Sequence, residues 1–111
     1  MGLGLLGGGI ATTKWLVRHG ARVTVTDLKM RQKLRSSVKA LGSSAKKIKF
    51  ILGQHREIDF KTHDIIVVNP DVRRESKYLK IAKKAGAQLE NEASLFFRFC
   101  KNPIIAVTGT R

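Results

Sequence analysis

Three glycines near the start of the chain, Gly2, Gly4 and Gly7, stand at the G-x-G-x-x-G spacing, and Asp27 follows Gly7 by twenty residues. Glycines so placed let a backbone turn tightly and approach a pyrophosphate, whose charge settles on the N-terminus of the next helix. An acid at the end of the following strand then reaches a ribose hydroxyl or a base edge. Lys29 beside it would offset phosphate charge. Each residue also has a plain structural use: a turn without a ligand, an N-cap at Asp27 for a helix after Met30, one more solvated lysine. The glycine spacing alone is a weak signal. It gains weight from the β-branched run at residues 22–26 (RVTVT), which ends in the acid.

At the other end, the apolar run at residues 104–107 (IIAV) leads into Thr108, Gly109, Thr110 and Arg111. A buried strand entering a glycine turn is how a P-loop opens, and the full motif closes on Gly-Lys-Ser/Thr to hold ATP phosphates and magnesium. No Gly-Lys-Ser/Thr follows here, so Thr108, Gly109 and Thr110 are not expected to act as an ATPase alone. His55 and His63 are single histidines with no second ligand at metal spacing. Arg73 and Arg74, being adjacent, point in different directions. Paired carboxylates, a nucleophile with its base, and a metal set are all missing from the pattern. No catalytic residue and no metal site are expected.

The elements that must position these loops alternate. Residues 9–19 read as a helix stopped by Gly20, 22–26 as a strand, and 30–41 as a basic helix closed by Gly42. A loop (43–47), a short strand (48–52) and one helical turn (57–60) follow. Residues 64–68 (DIIVV) form the continuous apolar run of a strand buried on both faces of a parallel sheet. Residues 75–85 carry Tyr78, Leu79, Ile81 and Ala82 on one helical stripe. Residues 88–90 are a short strand, and 92–100 a helix with Leu95, Phe96 and Phe99 inward. Strand and helix alternate throughout, which predicts an α/β, doubly wound, Rossmann-like parallel sheet. Its ligand crevice lies at the C-terminal ends of the strands: residues 2–9, 27–29, 53–55 and 69–71.

Composition agrees with one domain. The 111 residues are 42% hydrophobic, ordinary for a packed core. The single cysteine, Cys100, excludes an internal disulfide and fits a reduced, cytoplasmic setting as a small core residue. No stretch approaches the roughly 18 apolar residues of a membrane span. Twenty-two Lys and Arg against eight Asp and Glu give a net charge of +14. That surface attracts polyanions, but it lacks aromatic interleaving, so salt-sensitive, non-specific contact is expected and not a specific nucleic-acid reader.

The order Gly2-Leu3-Gly4 with Gly7, RVTVTD, Asn69-Pro70, ENEASLFFRF and PIIAVTGT resembles the start of the Mur ligases, of the MurD type. The resemblance implies a Rossmann-like UDP-binding domain over residues 1–100. It also implies, over residues 101–111, the first strand and opening P-loop of a central ATPase domain. It implies that Gly4, Leu5, Leu6 and Gly7 contact the UDP end of UDP-N-acetylmuramoyl-L-alanine. Asp27, Leu28 and Lys29 would contact the uracil, with the turn at Asn69 and Pro70 nearby. ATP and Mg2+ are implied for a full ligase that adds D-glutamate, and no cofactor for this part. Two departures stand out: Asp71 replaces the usual glycine of a Ser-Pro-Gly turn, removing the residue that favours positive φ, and Leu6 has no side-chain donor.

Two other readings remain: a binding module for NAD(P) or another dinucleotide, and a polyanion-binding basic domain. The VTGT segment separates the first from a ligase, because a plain NAD domain has no reason to carry a P-loop strand. Only Met1 stands before the glycine loop, so the first strand of the sheet is expected to be truncated. Residues 104–107 are expected to fill its slot, within the chain or by a swap between two copies.

Overall fold

In the computed structural model, which describes residues 1–109, the chain runs β-α alternately, with two separate pairs of parallel strands. β1 (Val23–Asp27) pairs with β2 (Ile48–Leu52), and β3 (Ile65–Val67) pairs with β4 (Gln88–Glu90). The helices are α1 (Gly8–Arg18), α2 (Arg35–Ala40), α3 (Glu57–Thr62), α4 (Lys77–Lys84) and α5 (Glu92–Phe99). The mixed α/β expectation is met. The continuous doubly wound sheet is not seen, because β1 and β3 do not pair with each other.

A stub of backbone links the two pairs. The Met1 amino group donates to the Val67 carbonyl at 2.8 Å, and the Asn69 amide donates to the Met1 carbonyl at 3.0 Å. The next residue turns the other way, Gly2 N–H donating to the Thr26 carbonyl at 2.8 Å. Leu3 then enters the core of the first pair with Val25, Leu41 and Ile48, while Met1 packs against the second core of Phe60, Ile66, Leu79 and Ala82. Two short sheets with a core each are thus stitched by Met1, Gly2 and Leu3.

Local sequence explains most helix ends. After α1, the Gly20 amide donates to Val17 and the Ala21 amide to Leu16; after α4, Gly86 donates to Lys83 and Ala87 to Ala82. Both are Schellman closures, which satisfy carbonyls a helix end leaves open. α5 starts on a reciprocal capping box, Ser94 N–H to Asn91 Oδ1 and Asn91 N–H to Ser94 Oγ, each 2.8 Å.

Several sequence expectations need correction. The helix foreseen over 30–41 is regular only over Arg35–Ala40, after tight turns from Met30 to Leu34, and the loop at 43–47 is a 3-10 helix, Gly42–Lys47. β3 is not buried on both faces, since Ile65 is exposed while Ile66 is buried. In α5, Leu95 is buried as foreseen, but Phe96 and Phe99 are exposed by more than half. Four apolar residues within five positions cannot all share one stripe at 100° per residue, and the position that meets the core takes Leu95. Residues 104–107 form no strand, and Ile105 and Val107 are almost fully exposed. They do not fill the slot between β1 and β3 within this chain.

Candidate functional site

The glycine loop is held by three segments far apart in sequence. Asp27, at the end of β1, is 4% exposed, and its carboxylate accepts from Gly4 N–H (3.3 Å) and Lys29 N–H (2.8 Å). Ser37 Oγ on α2 donates to the Gly4 carbonyl at 2.8 Å. From the far side comes Asn69: a Cβ on Gly4 would stand 2.9 Å from Asn69 Nδ2, and Gly4 sits at φ 68°. Only glycine meets both demands without strain. One loop residue is thereby fixed on three sides.

Asp27 therefore does not cap a helix after Met30, because α2 starts later, with Leu34 at its N-cap. Its carboxylate shapes the loop instead. The Asn69 turn closes on itself: Asn69 Oδ1 accepts from Asp71 N–H and the Asn69 carbonyl from Val72 N–H, both at 3.0 Å. Among the described residues every positive φ belongs to a glycine, so Asp71 does not take up the conformation its replacement of glycine put in question.

What the loop offers outward is the start of α1. Gly7 is its N-cap in the left-handed conformation, with no side-chain cap and no acid in the first turn. The first N–H groups of the helix have no side-chain cap, the Glu92 carboxylate lies against Gly8 beside them, and the helix dipole favours negative charge there. Leu5, Leu6 and Leu28 are exposed apolar side chains at the same strand ends, Lys29 and Pro70 are exposed too, and Met30 lies against Gly53. Backbone donors beside apolar rims suit a phosphate joined to a flat ring.

His55 is at the crevice, as its place after β2 suggested, but its ring is part of the wall. Its Nδ1 is hydrogen-bonded to Thr26 Oγ1 at 2.6 Å, and its ring meets Phe60 and Tyr78 edge-on. Burial lowers its pKa; the Met1 ammonium adds to that, and Asp27 opposes it. A second histidine, His63, donates from Nδ1 to the Asp59 carbonyl (2.6 Å), and its Nε2 is hydrogen-bonded to Thr24 Oγ1 at 3.0 Å. Neither faces a nucleophile. Among the described residues, no three His, Cys, Asp or Glu side chains are grouped to hold a metal ion.

Sequence reasoning missed Ser37, because Ser36 and Ser37 look alike in a basic helix and only the fold shows which one faces Gly4. Thr108 and Gly109 lie exposed outside any strand, and Thr110 falls outside the described residues. Arg73 is also exposed and joins no anion clamp among the described ion pairs.

Residues 1–90 match the family model of the Mur ligase MurD-like N-terminal domain. The chain belongs to this family. It is 50% identical over its full length to a UDP-N-acetylmuramoylalanine–D-glutamate ligase of Borreliella afzelii, covering 24% of that protein. Proteins of the same name from Roseiflexus sp. and Treponema pallidum are 49% and 41% identical, again across the whole chain, with 23% and 21% of their lengths covered. The chain thus spans about a quarter of the length of these MurD relatives. No solved structure matches it. Among the described residues no helix is long and apolar enough to cross a membrane.

Proposed function

We propose that this chain is the part of a MurD-type ligase that holds the UDP end of UDP-N-acetylmuramoyl-L-alanine, within a Rossmann-like, doubly wound arrangement. One observation carries the reading: the uncapped start of α1 stands beside a loop whose Gly4 is pinned by Asp27, Ser37 and Asn69. The diphosphate is received by the N–H groups that open α1, along Gly4, Leu5, Leu6 and Gly7. The uracil lies over Asp27, Leu28 and Lys29, with Asn69 and Pro70 closing the opposite side. A dinucleotide ribose would need Asp27 to accept from two hydroxyls, yet both of its oxygens already hold loop N–H groups. A base edge makes a smaller demand.

The parent reaction adds D-glutamate to the substrate carboxylate at the expense of ATP. The P-loop opened by Thr108, Gly109 and Thr110, with ATP and Mg2+, belongs to that larger enzyme, and the glycine loop contributes the binding of the UDP end. Titration of the 111-residue chain with UDP-N-acetylmuramoyl-L-alanine, UDP and NAD, followed by calorimetry and amide chemical shifts, tests this. Shifts at Leu5, Leu6 and Asp27 with the UDP ligands but not with NAD are expected. Shifts with NAD alone, or silence toward all three at millimolar ligand, would overturn it.

A further inference from the structure

Two helices begin at the same place. α5 opens at Glu92 on the capping box of Asn91 and Ser94, and α1 opens at Gly8, just past the left-handed Gly7. Between the two starts stands the Glu92 carboxylate. Both of its oxygens lie against Gly8, so close that a methyl group there would collide with them. Any other residue at position 8 would push the carboxylate away. The capping box also fixes the direction from which Glu92 comes, because it pins the backbone on either side of that residue.

What Glu92 gives α1 is charge and not a hydrogen bond. No side chain caps α1, so its first amides stay open to a phosphate. Nor does the carboxylate join any of the four ion pairs found among the described residues, in a chain with 22 Lys and Arg. A carboxylate is favoured at a helix start, since the dipole places partial positive charge there. The same carboxylate opposes any second anion brought to that start. The glycine loop thus presents amide donors for phosphate oxygens with a negative charge standing beside them.

We propose that Glu92 is a specificity-determining residue of the glycine loop, selecting a diphosphate esterified at both ends over one that ends in a free phosphate. The inference rests on the UDP reading above and adds the charge of the ligand to it. A diphosphate esterified at both ends carries one negative charge per phosphate. A free terminal phosphate carries one more above about pH 6, where its second proton is lost. Repulsion from Glu92 therefore weighs more on the free phosphate than on the ester. UDP-N-acetylmuramoyl-L-alanine is of the first kind and UDP of the second. Backbone amides alone would rank the two the other way, since a helix start rewards added negative charge.

The test titrates UDP and its β-methyl ester, which differ by one methyl group and one charge, into the 111-residue chain at about pH 8 and low salt. Binding is read from the amide shifts of Leu5, Leu6 and Gly8. The native chain is expected to bind the ester about three- to tenfold more tightly than UDP. Glu92→Gln should erase or reverse that preference, chiefly by tightening UDP, while Glu92→Asp keeps part of it. Asp64→Asn removes the same charge from an exposed position at the entry of β3 and should leave the preference in place. An equal UDP-to-ester ratio in the native chain and Glu92→Gln, or the same change in Asp64→Asn, would overturn the assignment and leave the UDP reading standing. Loss of both ligands in Glu92→Gln, with the amides of Asn91 and Ser94 displaced, would also overturn it, by making Glu92 a support of α5 alone. Silence of the native chain toward both ligands would instead bring down the UDP reading, and the assignment with it.

Discussion

At the scale of single residues, Gly4 and Asp27 carry the site, and each has a distinct physical requirement. Gly4→Ala places a methyl group 2.9 Å from Asn69 Nδ2 at φ 68°, a strained conformation that costs on the order of 1–3 kcal/mol. Asp27→Asn keeps the shape but sets an NH2 group against one of two backbone donors, an unsatisfied contact of about 1–3 kcal/mol. Both variants should lower the urea midpoint and weaken the UDP ligand together; a variant that loses neither would remove Gly4's pinning from the argument. The histidine in the wall makes a separate prediction. Burial holds His55 below its ordinary value of 6.5, and burial also brings the Met1 ammonium from 8.0 down to about 6. In both cases the unfolded chain binds more protons than the folded one, so their contribution is present above the unfolded values and is lost as pH falls. Unfolding free energy should decline from pH 8 toward pH 6 and continue to decline as His55 is forced to charge. A profile flat from pH 8 to pH 5.5, measured by urea titration, would contradict the burial of both groups.

At the scale of elements, α5 separates hydrophobicity from burial. Leu95 is 5% exposed, whereas Phe97 is 55% exposed. Leu95→Ala should cost about 2–5 kcal/mol of unfolding free energy, as for a buried leucine. Phe97→Ala should stay within about 0.5 kcal/mol, as for an open surface position. Equal losses in the two variants would mean that the aromatic face of α5 is covered. This contrast also marks what was legible in the chain. β1 could be read because β-branched residues fall between the Gly20 stop and Asp27, β2 because an apolar run with an aromatic residue ends at Gly53, and α1 and α4 because a glycine follows each at the closing position. The meeting of Gly4, Asp27 and Asn69 at one place was legible from strand ends alone, since a parallel arrangement gathers them on one edge. The inward side of α5 was not, because a run of leucine and phenylalanine states a wish for burial without naming the partner. Residues 104–107 failed for the same reason: IIAV has every local property of a core strand, but a strand exists only where an edge receives it.

At the scale of the whole molecule, two small cores are joined by the stub at Met1, Gly2 and Leu3 and by the side-chain hydrogen bonds of His55 and His63 to Thr26 and Thr24, while the surface carries +14. Four ion pairs are found among the described residues, all with at least one partner well exposed, so most of the positive charge has only solvent for company. Like charges repel most in the compact state, and their repulsion opposes folding. Between about 10 mM and 150 mM salt the screening length shrinks from about 30 Å to about 8 Å, less than the molecule's 34 Å width. Added sodium chloride should therefore raise the denaturation midpoint across that range, which is the opposite of what a fold held by surface ion pairs would show. Over the same range, retention on a heparin column should collapse, because non-specific polyanion contact is a counterion effect. The UDP ligand should lose far less affinity, since backbone N–H groups at the start of α1 do most of its binding and few free cations are released. Were ligand affinity and heparin retention to fall in parallel with salt, the glycine loop would be no more than another part of the basic surface.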